Sequence, residues 1–143
     1  MLSIENLHVF YGGIHALKGI SLHIDDGQIV TLIGANGAGK STTLRTISGS
    51  DSAHEGAIVF GGKEIGRCKP FEIVEAGIAM VPEGRRIFTN LTVLENLFMG
   101  SYSREDGAGV RKDLERVFEL FPVLKDRRSQ KGGTLSGGEQ QML

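Results

Sequence analysis

The residues with the clearest chemistry lie in a glycine-rich run near the start of the chain. Residues 34–42 read Gly-Ala-Asn-Gly-Ala-Gly-Lys-Ser-Thr. Glycines let successive backbone amides curl around an anion, a following helix adds the positive end of its dipole, and the lysine supplies a full charge. The run therefore predicts a loop that holds the phosphates of a nucleotide.

Three side chains of this loop have expected contacts. Lys40 should reach the β and γ phosphates, the Ser41 hydroxyl should ligate Mg²⁺, and Thr42 should add a second hydroxyl contact. The residues expected to bind the nucleotide here are Gly34, Asn36, Gly37, Ala38, Gly39, Lys40, Ser41 and Thr42. Taken alone, the loop is equally typical of GTPases and small-molecule kinases, so the class of NTPase stays open at this point.

The elements around the loop must place it between a strand and a helix. Residues 28–33 are nearly all apolar, which predicts a buried strand entering the loop. Residues 41–48 predict a helix leaving it, with Gly49 as its stop. The other strands predicted from apolar or alternating runs are residues 4–10, 20–24, 57–60, 63–65 and 78–81, the third and fourth forming a hairpin across a Gly-Gly pair.

The middle third of the chain is predicted to be helical. A short helix should open at Pro70. Thr92 and Glu95 fit a capping box at the start of a second helix that ends by Gly100. Apolar residues at helical spacing predict an amphipathic helix over residues 104–121 that Pro122 terminates. Residues 103–109 are expected to form a mobile loop.

Composition restricts the class of protein. The chain has 143 residues, of which 40% are hydrophobic and 23% charged, and its formal net charge is −1. These values are typical of a globular domain and argue against a nucleic-acid partner. Because no stretch approaches the about 20 apolar residues that span a bilayer, we expect a cytosolic chain. Cys68 is expected to be an incidental thiol, and the four histidines show no ligand spacing.

A second glycine motif lies at residues 135–140, Leu-Ser-Gly-Gly-Glu-Gln. Gly137 and Gly138 place no side chain between the backbone amides and an incoming phosphate, and Ser136 can donate a hydrogen bond. The motif resembles the signature of ATP-binding cassette (ABC) ATPases, and nearly the whole chain is similar to the N-terminal part of an ABC nucleotide-binding domain. The fold implied is α/β, a P-loop NTPase of the ABC type.

The resemblance implies how the chain is organised. It should have an N-terminal antiparallel β region with a partial RecA-like core, over about residues 1–82. A helical subdomain should follow over about residues 83–134, and residues 135–143 should hold the signature and the start of its helix. In the family, the signature contacts the γ-phosphate that the opposing subunit's phosphate loop holds. ATP and Mg²⁺ are then enclosed in a head-to-tail dimer.

The same resemblance implies roles for individual residues. Ser136, Gly137 and Gly138 would contact ATP in trans. Because a carboxylate near a phosphate is repelled, Glu139 is expected to point away or to cap its own helix. Tyr11 stands where the family places a ring that stacks on adenine, although a structural role for this tyrosine stays open.

The loop after residue 81 departs from the family pattern. Glu83 occupies the position where most ABC proteins have a glutamine that senses Mg²⁺ and the attacking water. A carboxylate can also ligate Mg²⁺ or order water, so Glu83 is a candidate catalytic and metal-binding residue. Arg85 and Arg86 follow it; contact with a membrane-spanning partner and a solvated turn are both open for them.

Residues 82–88 and 91–97, together with residues 138–143, are similar to LivF-type ATP-binding subunits of branched-chain amino acid importers. This resemblance implies a second ATPase subunit in a heterodimer, membrane-spanning permease subunits, and a substrate-binding protein that acts indirectly. The chain would lie in the cytoplasm, peripheral on the inner face of the membrane. An ABC ATPase for another cargo and a soluble ABC protein of DNA repair or translation remain alternatives.

An ABC ATPase also needs the acidic strand end of the Walker B motif, a glutamate base and a histidine downstream. No apolar run ending in Asp-Glu occurs within the 143 residues, and Asp25-Asp26 fits a turn better. The family sheet also places strands between residues 28–33 and 78–81 that these residues lack. We therefore expect an incomplete sheet, and a chain that binds nucleotide with weak or absent hydrolysis.

Overall fold

The structure is a computed structural model that describes all residues from 1 to 143. The chain divides into two compact units, Met1–Met80 and Val81–Leu143. The first unit holds the predicted phosphate loop, and the second holds the predicted signature motif.

The first unit is built on a four-stranded antiparallel sheet. Its strands are β1 (Leu2–Tyr11), β2 (Ile14–Ile24), β3 (Glu55–Phe60) and β4 (Lys63–Glu64). They lie in the order β2-β1-β3-β4, so that β1 pairs with a neighbour on each side. The predicted antiparallel region and the Gly-Gly hairpin are confirmed. Strand β2 begins earlier than residue 20, because its first residues pair with the end of β1.

The core of the first unit lies between this sheet and two helices, α1 (Lys40–Ile47) and α2 (Pro70–Glu75). Its buried apolar residues come from every strand except the short β4, from the residue after β4, and from α2. They are Ile4, Leu7, Val9, Leu17, Ile58, Ile65 and Ile73. Burial of this surface provides the main drive to fold the unit.

Two predicted strands are not formed, and both predictions are wrong. Residues 28–33 and 78–81 have no strand conformation, and Ile29 and Ile33 are 98% and 93% exposed. A strand is stabilised by hydrogen bonds to a neighbour, and the four-stranded sheet pairs with neither segment. The apolar character of these two segments suits a buried strand. They form none here, because no neighbouring strand pairs with them.

The second unit is helical. It contains α3 (Val93–Met99), α4 (Gly107–Leu120), α5 (Pro122–Asp126), a 3₁₀ turn (Gly132–Thr134) and α6 (Gly137–Met142). The buried residues at its centre are Val93, Phe118, Leu124 and Leu135. The amphipathic helix is confirmed as α4. It starts at Gly107, so the predicted loop over residues 103–109 is wrong in its last three positions.

Side-chain caps fix the segments that lead to the signature. The predicted box at α3 is confirmed, because Glu95 Oε2 accepts from the Thr92 amide at 2.7 Å and Thr92 Oγ1 accepts from the Glu95 amide at 3.2 Å. Asn96 Nδ2 donates to the Phe88 carbonyl at 3.0 Å. A single antiparallel bridge joins Thr92 to Lys131. The loop before α3 and the segment before α6 are thus tied together.

None of these helices combines the length and the apolar character that a bilayer crossing requires.

Candidate nucleotide-binding site

The glycine run forms a tight loop that ends at the N-terminus of α1. The Ala38 amide donates to the Ala35 carbonyl at 3.1 Å, which closes one turn of the loop. Gly37 and Gly39 have φ of +84° and +93°, in the left-handed region that favours glycine. A Cβ at Gly39 would lie 2.5 Å from Cδ2 of the buried Leu17. Gly39 is thus required by both its backbone conformation and its packing.

No side chain caps the N-terminus of α1. Its N-cap residue, Gly39, has no side chain to accept from the first turn, and no acidic residue lies in that turn. The helices α3 and α6 both begin with a capping box. The first amide groups of a helix lack partners within the helix and carry the positive end of its dipole. The start of α1 therefore presents donors suited to an anion.

Lys40 adds a full positive charge at the same place. Its Nζ donates to the carbonyls of Gly34 at 2.7 Å and Ala35 at 2.8 Å. The side chain folds back over the loop that precedes it. An anion held by the loop amides would therefore meet the ammonium group directly.

The hydroxyls at the start of α1 have different surroundings. Ser41 is exposed, while Thr42, Thr43 and Thr46 are buried. Thr43 and Thr46 donate to carbonyls of the preceding turn, at 2.9 and 2.8 Å. Thr42 Oγ1 lies 3.4 Å from the Tyr11 hydroxyl oxygen, to which its own hydroxyl can donate. Ser41 thus has the hydroxyl that a ligand can reach most easily, and the phosphate and metal contacts of Thr42 and Ser41 stay predictions.

The residues present fit a magnesium ion that is held largely by a nucleotide. No group of three or more histidine, cysteine, aspartate or glutamate residues that could hold a metal occurs in the chain. Mg²⁺ commonly keeps several waters and binds through one or two protein ligands plus substrate phosphates. Ser41 suits such a site. Glu83 is exposed and lies in the other unit, so its predicted metal role remains untested.

Tyr11 lies at the end of β1, and the residue is 41% exposed. Its hydroxyl donates to Asp51 Oδ2 at 2.5 Å and accepts from Arg45 Nη2 at 3.0 Å. Arg45 Nε also donates to Asp51 Oδ2, at 2.8 Å. Sequence reasoning missed this three-residue network, because no spacing pattern joins a strand end to residues on and after α1.

The network changes the acidity of its members. Burial opposes ionisation of Asp51, but the hydrogen bonds from Tyr11 and Arg45 outweigh it and lower the pKa of this carboxyl. The hydrogen bond to Asp51 is the main cause that raises the pKa of Arg45 further above its ordinary range. Both groups are therefore charged near neutral pH.

The signature motif forms the start of α6. Ser136 is its N-cap, and Glu139 Oε2 accepts from the Ser136 amide at 2.8 Å. Glu139 therefore caps its own helix, as predicted. This hydrogen bond is the main reason that the pKa of Glu139 lies below its usual value, with Arg127 at 3.3 Å as a further cause. Ser136, Gly137 and Gly138 are contiguous here, and their contacts in trans remain predictions.

The two signature glycines differ in their surroundings. Around Gly138, no atom lies within 4 Å of the place a Cβ would occupy. At Gly137, a Cβ would lie 2.7 Å from Arg85 Nη1. Arg85 itself has φ of +50°, which is uncommon for a non-glycine residue. The guanidinium of Arg85 therefore packs on the signature, a contact that sequence reasoning did not find.

These features describe a protein with a glycine loop suited to phosphate and a second glycine motif at a capped helix start. A family model for the ABC transporter matches residues 17–143. The chain belongs to the ABC transporter family.

Two of the relatives that match along the whole chain show the likeness. One is the high-affinity branched-chain amino acid transport ATP-binding protein BraG of Pseudomonas aeruginosa, 50% identical over 143 residues. The other is the probable branched-chain amino acid transport ATP-binding protein LivF of Archaeoglobus fulgidus, 37% identical. The chain spans 61% of the length of BraG and 60% of that LivF protein.

Solved structures agree with the fold. The dimeric structure of MJ0796, described as a bacterial ABC transporter cassette, has a TM-score of 0.84 and 27% identity, with 99% of this chain and 66% of that one covered. The ADP conformation of MJ1267, an ATP-binding cassette of an ABC transporter, has a TM-score of 0.76 and 30% identity. This second match covers 99% of this chain and 61% of the MJ1267 chain. The predicted fold class, a P-loop fold of the ABC type, is confirmed.

The glycines of the phosphate loop give a matched pair for mutation. Gly39→Ala should lower the free energy of unfolding by about 2–4 kcal/mol, because left-handed strain and a clash with Leu17 act together. Gly37→Ala has the strain but no atom within 4 Å, and should cost about 1–2 kcal/mol. Urea unfolding of both variants measures the difference. Equal losses of unfolding free energy in the two variants would show that the contact with Leu17 does not restrict the residue at position 39.

The cap of α6 predicts a pH dependence. Because the pKa of Glu139 is lowered in the folded chain, its stabilising effect is present above its ordinary pKa of 4.5 and is lost as pH falls below it. Glu139→Gln should therefore be less stable than the unchanged chain at pH 7. The gap in urea midpoint should shrink towards pH 4. A gap that is constant with pH would contradict the cap.

Proposed function

We propose that the chain is the nucleotide-binding part of an ATP-hydrolysing subunit that drives import of branched-chain amino acids. The observation that carries this proposal is the uncapped start of α1, with Lys40 folded over the loop before it. These groups suit the phosphates of a nucleotide. The identity with BraG, whose name states branched-chain amino acid transport, supports the cargo.

The loop residues would act on the phosphates in distinct ways. Backbone amides of residues 34–41 would donate to the phosphate oxygens, and Lys40 would move from the carbonyls of Gly34 and Ala35 to the β and γ phosphates. Ser41 would hold Mg²⁺, which supplies positive charge to the transferred phosphoryl group when bound. The ring of Tyr11 would stack on the base through its exposed part.

The signature would complete the site of a second subunit. Ser136, Gly137 and Gly138 would meet the γ-phosphate held by the phosphate loop of the opposing subunit in a head-to-tail dimer. The description of MJ0796 as a dimeric cassette supports this arrangement. We infer that the partner is a related ATPase subunit in a heterodimer. Glu83 would lie near Mg²⁺ or the attacking water once that dimer closes.

The transport role implies further partners. Permease subunits in the membrane would receive the motion of the dimer, and a substrate-binding protein would act through them. The subunit would then be cytoplasmic and peripheral on the inner face of the membrane. The net charge of −1 provides no overall positive field for nucleic acid, which argues against a role in DNA repair or translation.

A chimera tests the proposed function. This chain replaces the matching part of BraG in a P. aeruginosa strain that lacks BraG, and uptake of labelled leucine is measured. We expect uptake to be restored. The same chimera with Lys40→Ala should lose uptake about ten-fold or more, because the substitution removes the positive charge that would stabilise the transferred phosphoryl group. Lys18→Ala, a change at an exposed lysine on β2, is the matched control.

The outcome is interpreted together with recovery of the chimera in purified membranes. If the chimera is recovered in membranes together with the permease but imports no leucine, the proposal that the cargo is a branched-chain amino acid is contradicted. Import that is unchanged by Lys40→Ala would contradict the role of the phosphate loop.

A further inference from the structure

We propose that Arg45 and Asp51 are positioning residues, which hold the Tyr11 ring at a set place beside the phosphate loop. Through this contact the site would favour a triphosphate that carries a nucleobase over a bare polyphosphate. The inference rests on the proposed function, since it concerns the nucleotide site of the same chain.

The geometry places three hydrogen bonds on one hydroxyl. The Tyr11 hydroxyl contacts Asp51 at 2.5 Å, Arg45 at 3.0 Å and Thr42 at 3.4 Å. Two of these partners are charged, which makes their bonds stronger than those between neutral groups. The hydroxyl is therefore fixed, while Tyr11 as a residue remains 41% exposed, which leaves part of it open to a ligand.

All three partners belong to α1 or to the turn that ends it. Thr42 and Arg45 lie on the helix. The Arg45 carbonyl accepts from the amides of Ser50 and Asp51, at 2.8 and 3.2 Å, so the backbone of Asp51 is held at the end of α1. The glycine loop leads directly into the N-terminus of this same helix, whose first amides have no side-chain cap. The ring and the phosphate donors are thus fixed to one rigid element.

Tyr11 pairs with Ile14 across the turn that joins β1 and β2, but the turn itself packs against little. Gly12 and Gly13 follow Tyr11 in this turn, and no atom lies within 4 Å of a Cβ placed at either glycine. Both are exposed. A ring at the edge of such a turn would move with it, and stacking would then carry an ordering cost. The hydrogen bonds to Asp51 and Arg45 reduce that cost before the ligand binds.

A purely structural role for the network is the competing explanation. If Arg45 and Asp51 only stabilised the end of α1, their loss would weaken every ligand of the phosphate loop alike. If they position the ring, their loss would weaken only ligands with a base. Inorganic tripolyphosphate has the phosphates without the base, so it separates the two explanations.

The test measures affinities of the full chain for Mg²⁺-ATP and for Mg²⁺-tripolyphosphate by calorimetry. Tyr11→Phe and Asp51→Ala should each lower the affinity for Mg²⁺-ATP by about five-fold, which is the effect of one lost hydrogen bond. Both should leave the tripolyphosphate affinity within about two-fold. The matched control is Asp113→Ala, since Asp113 pairs with Arg104 at 2.5 Å in the other unit. It should change neither affinity.

Tyrosine fluorescence gives a second readout. The chain has no tryptophan and two tyrosines, so Tyr102→Phe leaves Tyr11 as the one tyrosine. In that background ATP should quench the emission and tripolyphosphate should not. Adding Asp51→Ala should reduce the quenching at saturating ATP, which a loss of stability alone would not do.

Each outcome decides between the explanations. Equal weakening of ATP and tripolyphosphate in Asp51→Ala, or unchanged ATP affinity in both variants, would overturn the positioning role. An unchanged chain that binds ATP no more tightly than tripolyphosphate would overturn it too, and would leave the phosphate loop intact. An unchanged chain that binds neither ligand would contradict the proposed function itself.

Discussion

The amide groups at the N-terminus of α1 have no side-chain cap, and the surrounding residues are arranged to present them to an anion. Gly39 precedes the first residue of α1, at a position where the Cβ of a larger residue would clash with Leu17. Lys40 lies over the loop, and the buried Thr43 and Thr46 hydroxyls bond to helix carbonyls. Donors that are fixed before the ligand arrives need little reorganisation to bind it.

The two motifs use the start of a helix in different ways. At α6 the Ser136 hydroxyl and the Glu139 carboxylate satisfy local amides, so the helix forms without a ligand. Two glycines and the Arg85 guanidinium lie at the same end. At α1 no side chain satisfies the corresponding amides, which leaves them available to a ligand. One motif is thus suited to hold a phosphate tightly, and the other to meet a phosphate that is already held.

Local signals in the sequence predicted the local structure well. The capping box predicted at Thr92 is a short pattern whose hydrogen bonds involve residues three apart, so no tertiary contact is needed to form it. The phosphate loop is similar, since its glycines set the backbone directly. The apolar run at residues 28–33 failed because a strand depends on a neighbour that lies elsewhere in the chain.

Long-range contacts were beyond the reach of sequence patterns. The Tyr11 hydroxyl meets Asp51 across 40 residues, and the pairing depends on how β1 packs beside the end of α1. The contact of Arg85 with Gly137 depends likewise on the fold of the helical unit. In both cases the sequence indicated one residue of the pair, Tyr11 or Arg85, but not the residue that it contacts.

The comparison of ATP with AMP by calorimetry on the purified chain tests the central claim most directly. The two ligands share the base and ribose, and they differ in the β and γ phosphates that we propose α1 and Lys40 hold. We predict that Mg²⁺-ATP binds tighter than AMP by about 100-fold or more, which is about 2.7 kcal/mol. Equal affinities would contradict the assignment of the α1 N-terminus as the phosphate site.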